Sequence, residues 1–316
     1  MEKREIGASG IKVYPFVLGG NVFGWTVNEK QSFKILDYFV DSGLDFIDTA
    51  DIYSNWAPGN KGGESETMIG KWLKNSGKRQ KVIIATKVGM QMTGTKKGLS
   101  GKYIIKAVDD SLKRLQTDYI DLYQAHTDDA GTPLLETLTT FDLLIKQGKV
   151  RAIGASNYTG ERLKEALQVS TDNNLARYEC LQPAYNLYQR AQYEKELEPI
   201  CRERCIGVIT YYGLARGFLT GKYRSENDLG KSTRGAAVKD FLEPRGYKIL
   251  AALDKVSAEY GVTQAAIALA WIMARQGITG PITSATSVDQ LKELIVSTSL
   301  ELKSDAIDLL NTASQY

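Results

Sequence analysis

Eight short runs rich in β-branched and aliphatic residues, at 16–18, 46–49, 82–86, 120–124, 152–155, 180–183, 207–211 and 280–284, punctuate the chain. Longer stretches alternate with them, at 29–41, 65–74, 103–115, 134–147, 160–169, 194–204 and 288–297. Repeated strand-helix units and a parallel sheet produce this pattern. The spacing stays regular and no change of composition marks a second domain. The expected fold is therefore one α/β domain over 1–316, a closed (β/α)8 TIM barrel, with an open doubly wound sheet as the alternative. That alternative wants Gly-x-Gly-x-x-Gly at its first strand-to-helix turn, and Gly19-Gly20-Asn21-Val22-Phe23-Gly24 places its glycines differently. Residues 4–7 and 11–13, separated by Ala8-Ser9-Gly10, predict a small β-hairpin that plugs the bottom of the barrel. The apolar run 265–274, closed by Gln264 and Arg275, is about half of what spans a bilayer and predicts a buried helix.

Charge excludes some partners. Lys+Arg number 40 against 37 Asp+Glu, a net +3 without a basic stripe, so no nucleic-acid partner is expected. The opening Met1-Glu2-Lys3-Arg4-Glu5 lacks the apolar core of a signal peptide, and no membrane association is expected. Three cysteines, Cys180, Cys201 and Cys205, predict free thiols in a reducing compartment, the cytoplasm. Cys201 and Cys205 have helical spacing and read as helix-packing thiols; with one histidine and no second cysteine pair, no metal site is expected.

In a barrel the chemistry gathers at the C-terminal ends of the strands. Asp48 ends the second strand, Tyr53 follows it, Lys87 ends the third and His126, the sole histidine, ends the fourth. A phenol titrates near pH 10, and a neighbouring ammonium is expected to lower that value while a carboxylate holds the ammonium charged. The imidazole would donate to a carbonyl oxygen or orient it. Singly, these groups read more readily as an ion pair, a packed tyrosine and a buried histidine; their joint placement on consecutive strands favours proton transfer.

Ser156 and Asn157 after strand five and Gln182 in strand six offer the donors and acceptors that complement a planar carboxamide, and Tyr211 at strand seven could stack on its ring. Loop capping and barrel filling are the plainer readings. After strand seven, Gly217 and Gly221 enclose three residues where a P-loop needs four, and Tyr223 replaces the metal-binding hydroxyl, which argues against ATP hydrolysis. Arg216 and Lys222 beside these glycines still suit a pyrophosphate. Ser284-Ala285-Thr286-Ser287, after strand eight, opens a helix whose N-terminus suits a phosphate or ribose, with Ser287 as a plain cap the alternative. Two long loops, 52–64 and 223–244, are expected at this same face.

Together these residues resemble an aldo-keto reductase. The motifs are Asp48-Thr49-Ala50-Asp51-Ile52-Tyr53, Thr86-Lys87, Leu112-Lys113-Arg114-Leu115-Gln116 with Tyr119 and the strand to His126, Gly154-Ala155-Ser156-Asn157, Gly217-Phe218-Leu219-Thr220-Gly221-Lys222-Tyr223, and Ala285-Thr286-Ser287-Val288-Asp289-Gln290-Leu291. The resemblance covers nearly the whole chain. It implies an NAD(P)H-dependent enzyme, NADPH favoured over NADH, acting on a small-molecule carbonyl or alcohol. Tyr53 would be the general acid, with Lys87 and Asp48 tuning it and His126 orienting the carbonyl. Cofactor contacts would come from Gly20, Asn21, Asp48, Ser156, Asn157 and Gln182; from Tyr211, Leu214, Arg216, Gly217, Lys222 and Arg234; and from Ser284, Thr286, Gln290 and Glu293.

The chain departs from the family where Tyr211-Tyr212-Gly213-Leu214 replaces the frequent Tyr-Ser-Pro-Leu, where Thr283-Ser284 replaces Pro-Gly, and where Leu294 replaces an Asn. Ser284, Thr286 and Gln290 are uncharged where many NADPH-preferring members carry Lys or Arg. The segment from Gly98-Leu99-Ser100 to Leu115-Gln116 is also similar to potassium-channel β subunits, which implies as alternative a cofactor-binding regulatory or redox-sensing subunit with little turnover. Nothing in the sequence fixes an oligomeric state.

Overall fold

The β-branched runs fold as the strands of a closed parallel barrel. The computed structural model describes residues 2–92, 97–232 and 235–316. A hairpin of β1 (Arg4–Glu5) and β2 (Lys12–Val13) precedes β3 (Val17–Gly19), β4 (Phe46–Asp48), β5 (Ile83–Val88), β6 (Ile120–Ala125), β7 (Val150–Ser156), β8 (Tyr178–Gln182), β9 (Gly207–Thr210) and β10 (Ile278–Thr283). Strands β3 to β10 form the ring in chain order, β10 closing against β3. The helices are α1 (Glu29–Asp41), α2 (Glu64–Ser76), α3 (Gly101–Leu115), α4 (Leu134–Lys146), α5 (Gly160–Asp172), α6 (Glu198–Glu203), α7 (Pro244–Tyr260), α8 (Gln264–Met273), α9 (Val288–Ile295) and α10 (Ser304–Ala313).

Local chemistry sets the helix starts. Side chains of Asn28, Thr159, Thr263 and Ser287 each accept a backbone N–H in the first turn of α1, α5, α8 and α9, so Ser287 does serve as a cap. α7 opens on Pro244, whose missing N–H costs nothing at a helix start, with Glu243 capping Gly246. Every residue of α8 is buried, as its alanine-rich run predicts.

Three expectations change. The loop read as 223–244 contains short helical turns at Glu226–Lys231 and Gly235–Phe241. The stretch 194–204 is helical as expected, but its first part, Tyr193–Leu197, is wound as a wider π-type turn that runs on into α6. Cys201 packs in the core, but Cys205 is exposed beyond the end of α6 at φ 51°, so it is not a helix-packing thiol. The helix ends too soon to carry it.

Successive residues of a strand point to opposite sides, so residues two apart share the barrel interior. Val17, Phe46, Ala85, Leu122, Ala152 and Ile209 form an apolar floor, against which Ile6, Ile11 and Val13 of the hairpin pack as the plug. Two residues further along the same strands come Gly19, Asp48, Lys87, Gln124, Gly154 and Tyr211. The interior thus turns polar within one step. No described helix is long and apolar enough to cross a membrane.

Candidate active site

The polar layer converges on one carboxylate. Lys87 Nζ donates to Asp48 Oδ2 at 2.6 Å, to Thr49 O at 2.7 Å and to the Tyr53 hydroxyl oxygen at 3.0 Å. Asp48 and Lys87 are fully buried. The lysine therefore spends its three protons on three oxygens, one of them the phenol's. The Tyr53 O–H has only a long contact of 3.4 Å to Asp48 Oδ2, which leaves it free to turn toward a better acceptor. His126 packs edge-on against Tyr53, their ring centroids 5.9 Å apart. Asn157 Nδ2 donates to the His126 carbonyl at 2.8 Å and pins the end of β6.

Burial governs the electrostatics. Desolvation, reinforced by the Asp48 charge, pushes the Tyr53 phenol well above its ordinary range, against the sequence expectation that Lys87 would lower it. The cation is present, but its charge is shared with Asp48, and burial of the ring beside that carboxylate outweighs it. Tyr53 is a protonated acid at neutral pH. Burial lowers the Lys87 ammonium and Asp48 opposes that shift. Burial, then the Lys87 charge, lowers His126 well below its usual range, so the imidazole is neutral. The bond from Lys87 to the Tyr53 oxygen is placed where it would stabilise a phenolate.

These groups open into a cavity of 780 Å³ at the C-terminal end of the barrel, within the range of cofactor and substrate sites. Of the residues read from the sequence, Asn21, Asp48, Tyr53, His126, Ser156, Asn157, Gln182 and Tyr211 line it, as do Leu214, Arg216, Gly217, Lys222, Ser284, Thr286 and Gln290. Lys87 stands behind Asp48. Gly20 lies behind the wall, where an added Cβ would sit 2.9 Å from Ser65 Oγ and 3.3 Å from Asp48 O; its role is close approach of backbones. Glu293 is exposed one turn beyond Gln290 on α9 and does not line the cavity. Arg234 lies outside the described residues.

The walls are built by specific bonds. Ser156 Oγ donates to Gln182 O at 2.9 Å, and the Tyr211 hydroxyl donates to Asn157 Oδ1 at 2.7 Å. Capping of α5 falls to Thr159, so Ser156 and Asn157 face the cavity without that duty. The loop after β9 turns through positive φ at Ala215, Arg216 and Gly217, with the Arg216 guanidinium 4.9 Å from the Tyr212 ring centre. Ser284 Oγ bonds Asn21 Oδ1 at 2.5 Å, joining the ends of β10 and β3. Trp56 extends the aromatic wall, its ring centroid 6.0 Å from Tyr53 and 5.7 Å from Trp25.

Two further groups escaped the sequence reading. Gln124, two residues before His126 on the inward side of β6, is fully buried against Asp48 and Gln182. Counting back in twos from His126 would have found it. Asp51 is buried with neither carboxylate oxygen bonded to any described residue, and burial with the Glu66 charge pushes it well above the carboxylate range. Glu66 is held by Thr86 Oγ1 at 2.5 Å and Arg114 Nε at 2.6 Å. Among the described residues no group of His, Cys, Asp and Glu is arranged to hold a metal ion.

Residues 15–315 match the family model described as the Aldo/keto reductase family. The chain is 35% identical to an oxidoreductase, YrpG, of Bacillus subtilis, across 98% of this chain and 95% of that protein. It is 35% identical to the aldo-keto reductase YhdN of the same organism, across 97% and 90%. It is also 32% identical to a probable voltage-gated potassium channel subunit beta of Arabidopsis thaliana, across 93% and 90%.

Proposed function

The chain belongs to the aldo/keto reductase family and has an oxidoreductase role, and on that premise we propose that it interconverts an aldehyde or ketone and its alcohol with NADP(H), Tyr53 acting as the proton donor. The observation that carries this reading is the Lys87 bond to the Tyr53 oxygen beside a loosely held phenolic proton, at the wall of a cavity large enough for a cofactor and a small substrate. Such a phenol gives its proton to an oxygen on which negative charge is developing, and the ammonium behind it stabilises what remains. Neutral His126, lining the same cavity, orients the carbonyl oxygen toward Tyr53.

The residues fit a nicotinamide dinucleotide. Ser156, Asn157 and Gln182 would hold a carboxamide, Tyr211 would lie against the ring, and Arg216 and Lys222 would meet the phosphates. When bound, the reduced nicotinamide supplies a hydride to the carbonyl carbon. The acidic residue among those lining the cavity, Asp48, is already paired with Lys87, whereas Arg216 and Lys222 are basic; this favours the more anionic NADPH over NADH. Unpaired thiols at Cys180, Cys201 and Cys205 suit action in the cytoplasm.

The test follows reduced-nicotinamide absorbance with a panel of aldehydes, ketones and sugars, NADPH and NADH in parallel. Carbonyl-dependent oxidation, faster with NADPH, is the expected result. Tight cofactor binding without turnover on any carbonyl would replace the enzyme by a regulatory subunit, the reading that the potassium-channel relative favours.

A further inference from the structure

The Asp48 carboxylate accepts four hydrogen bonds, two at each oxygen. Oδ2 takes Lys87 Nζ at 2.6 Å and Tyr53 OH at 3.4 Å, while Oδ1 takes Gln182 Nε2 at 2.9 Å and Gln124 Nε2 at 3.4 Å. An ionised carboxylate only accepts, so it fixes which end of each amide faces it. Gln182 Nε2 also donates to Gln124 Oε1 at 3.3 Å. Both protons of the Gln182 amide are then engaged. Turning that amide over would set its carbonyl oxygen against the Asp48 oxygen and the Gln124 oxygen together, leaving the two glutamine oxygens without a donor and Asp48 Oδ1 with only the long Gln124 bond.

The consequence falls on the cavity side. Gln182 lines the cavity, and its Oε1 has no donor among the described residues. The room for this arrangement is built into the neighbouring strand, where Gly154 stands opposite Gln124; a Cβ there would lie 3.2 Å from Gln124 Cγ and 2.9 Å from Cys180 O. Gln124 itself does not line the cavity.

We propose that Gln124 is a positioning residue for cofactor recognition: by accepting the second proton of the Gln182 amide, it holds the Gln182 carbonyl oxygen toward the cavity as the acceptor for the NH2 of a nicotinamide carboxamide. This rests on the reading that the cavity takes a nicotinamide dinucleotide. It assigns to a residue outside the cavity the task of distinguishing a carboxamide from groups of similar shape.

The experiment measures binding of NADP+ and of its 3-acetylpyridine analogue, in which a methyl group replaces the NH2 while ring and phosphates are kept. Titrations by calorimetry give the ratio of the two dissociation constants at pH 7. The wild type is expected to prefer NADP+ by about tenfold, the scale of one hydrogen bond. Gln124→Met removes the acceptor at nearly constant volume and leaves Asp48 alone to hold the Gln182 amide, so its ratio falls by about threefold; Gln124→Leu is the second variant if Gln124→Met does not fold. In Gln124→Glu the new carboxyl touches Asp48, and two carboxylates in contact do not both ionise. Protonated, it supplies the same donor and acceptor as the glutamine, so the preference is retained.

An unchanged ratio in the folded Met or Leu variant, no preference in the wild type, or loss of the preference in Gln124→Glu overturns the assignment. Failure of the wild type to bind either dinucleotide overturns instead the reading of the cavity beneath it.

Discussion

Two layers of the same barrel, one residue pair apart on each strand, are built on opposite principles. The floor, with Val17, Phe46 and Leu122 resting on the plug residues Ile6, Ile11 and Val13, is an apolar cluster. The layer above it buries Asp48, Lys87 and Gln124 as completely, and can do so because each polar atom meets another. Burial is thus not the difference between them. The difference is that the floor's side chains gain from leaving water by themselves, whereas the upper layer holds only as a set. A barrel can separate stability from chemistry along one strand with an alternation of two.

The sharpest way to break this contrast is Lys87→Met. It strips the Asp48 carboxylate of its counter-ion, so a loss of about 3–5 kcal/mol in denaturant unfolding is expected, with turnover falling at least as far as in any tyrosine variant. Unchanged stability would mean that Asp48 is not held ionised by Lys87. Next comes Ile11→Ala in the plug that packs against the floor, expected to cost about 3 kcal/mol while the turnover of the folded fraction stays at the wild-type value. A change in turnover without a change in unfolding midpoint would dissolve the distinction between the layers.

Tyr53→Phe reverses the pattern: turnover drops about 10²-fold, equivalent to about 2.7 kcal/mol in the barrier, while cofactor affinity and melting temperature hold. Full activity in that variant removes Tyr53 from the mechanism. The smallest effect is one of pH. Because His126 is held below its ordinary value of 6.5, the unfolded chain binds a proton that the folded chain refuses as pH falls below ~6.5. Stability therefore declines on acidification through this window, and His126→Gln should decline less steeply over the same range. Parallel melting curves from pH 7 to 5 for the two proteins would show the imidazole to be charged in the native state instead.

The strands were legible because buried parallel strands need short apolar runs, of which Val82-Ile83-Ile84-Ala85 is the plainest, at regular intervals between helix-length stretches. The carboxylate, phenol, ammonium and imidazole of the candidate site were legible for the complementary reason: polar residues at the ends of such runs face the cavity at the C-terminal end of the barrel. Helices α7 and α10 were missed because they fall outside the strand-helix alternation; α7 opens directly on the proline taken as the end of a loop. Gln124 was hidden differently. Its meaning depends on Asp48, 76 residues away, and Gln182, 58 residues away, and no local pattern carries such a pairing. The direction of the Tyr53 shift was misjudged because a sequence shows a neighbouring cation but not the packing and the shared carboxylate that outweigh it.

The hairpin at the floor has a consequence for how the molecule is made. Arg4 donates to the carbonyl oxygens of Ile278 at 2.7 Å and Met273 at 2.8 Å, partners 274 and 269 residues away, and Ala8 N meets Glu179 Oε2 at 2.8 Å. The hairpin is made before the barrel strands and must wait for the last of them. Until β10 has emerged, the apolar hairpin has no complete seat, and a nascent chain carries it exposed while the barrel is being made. The plug that precedes the barrel is seated only when the ring closes.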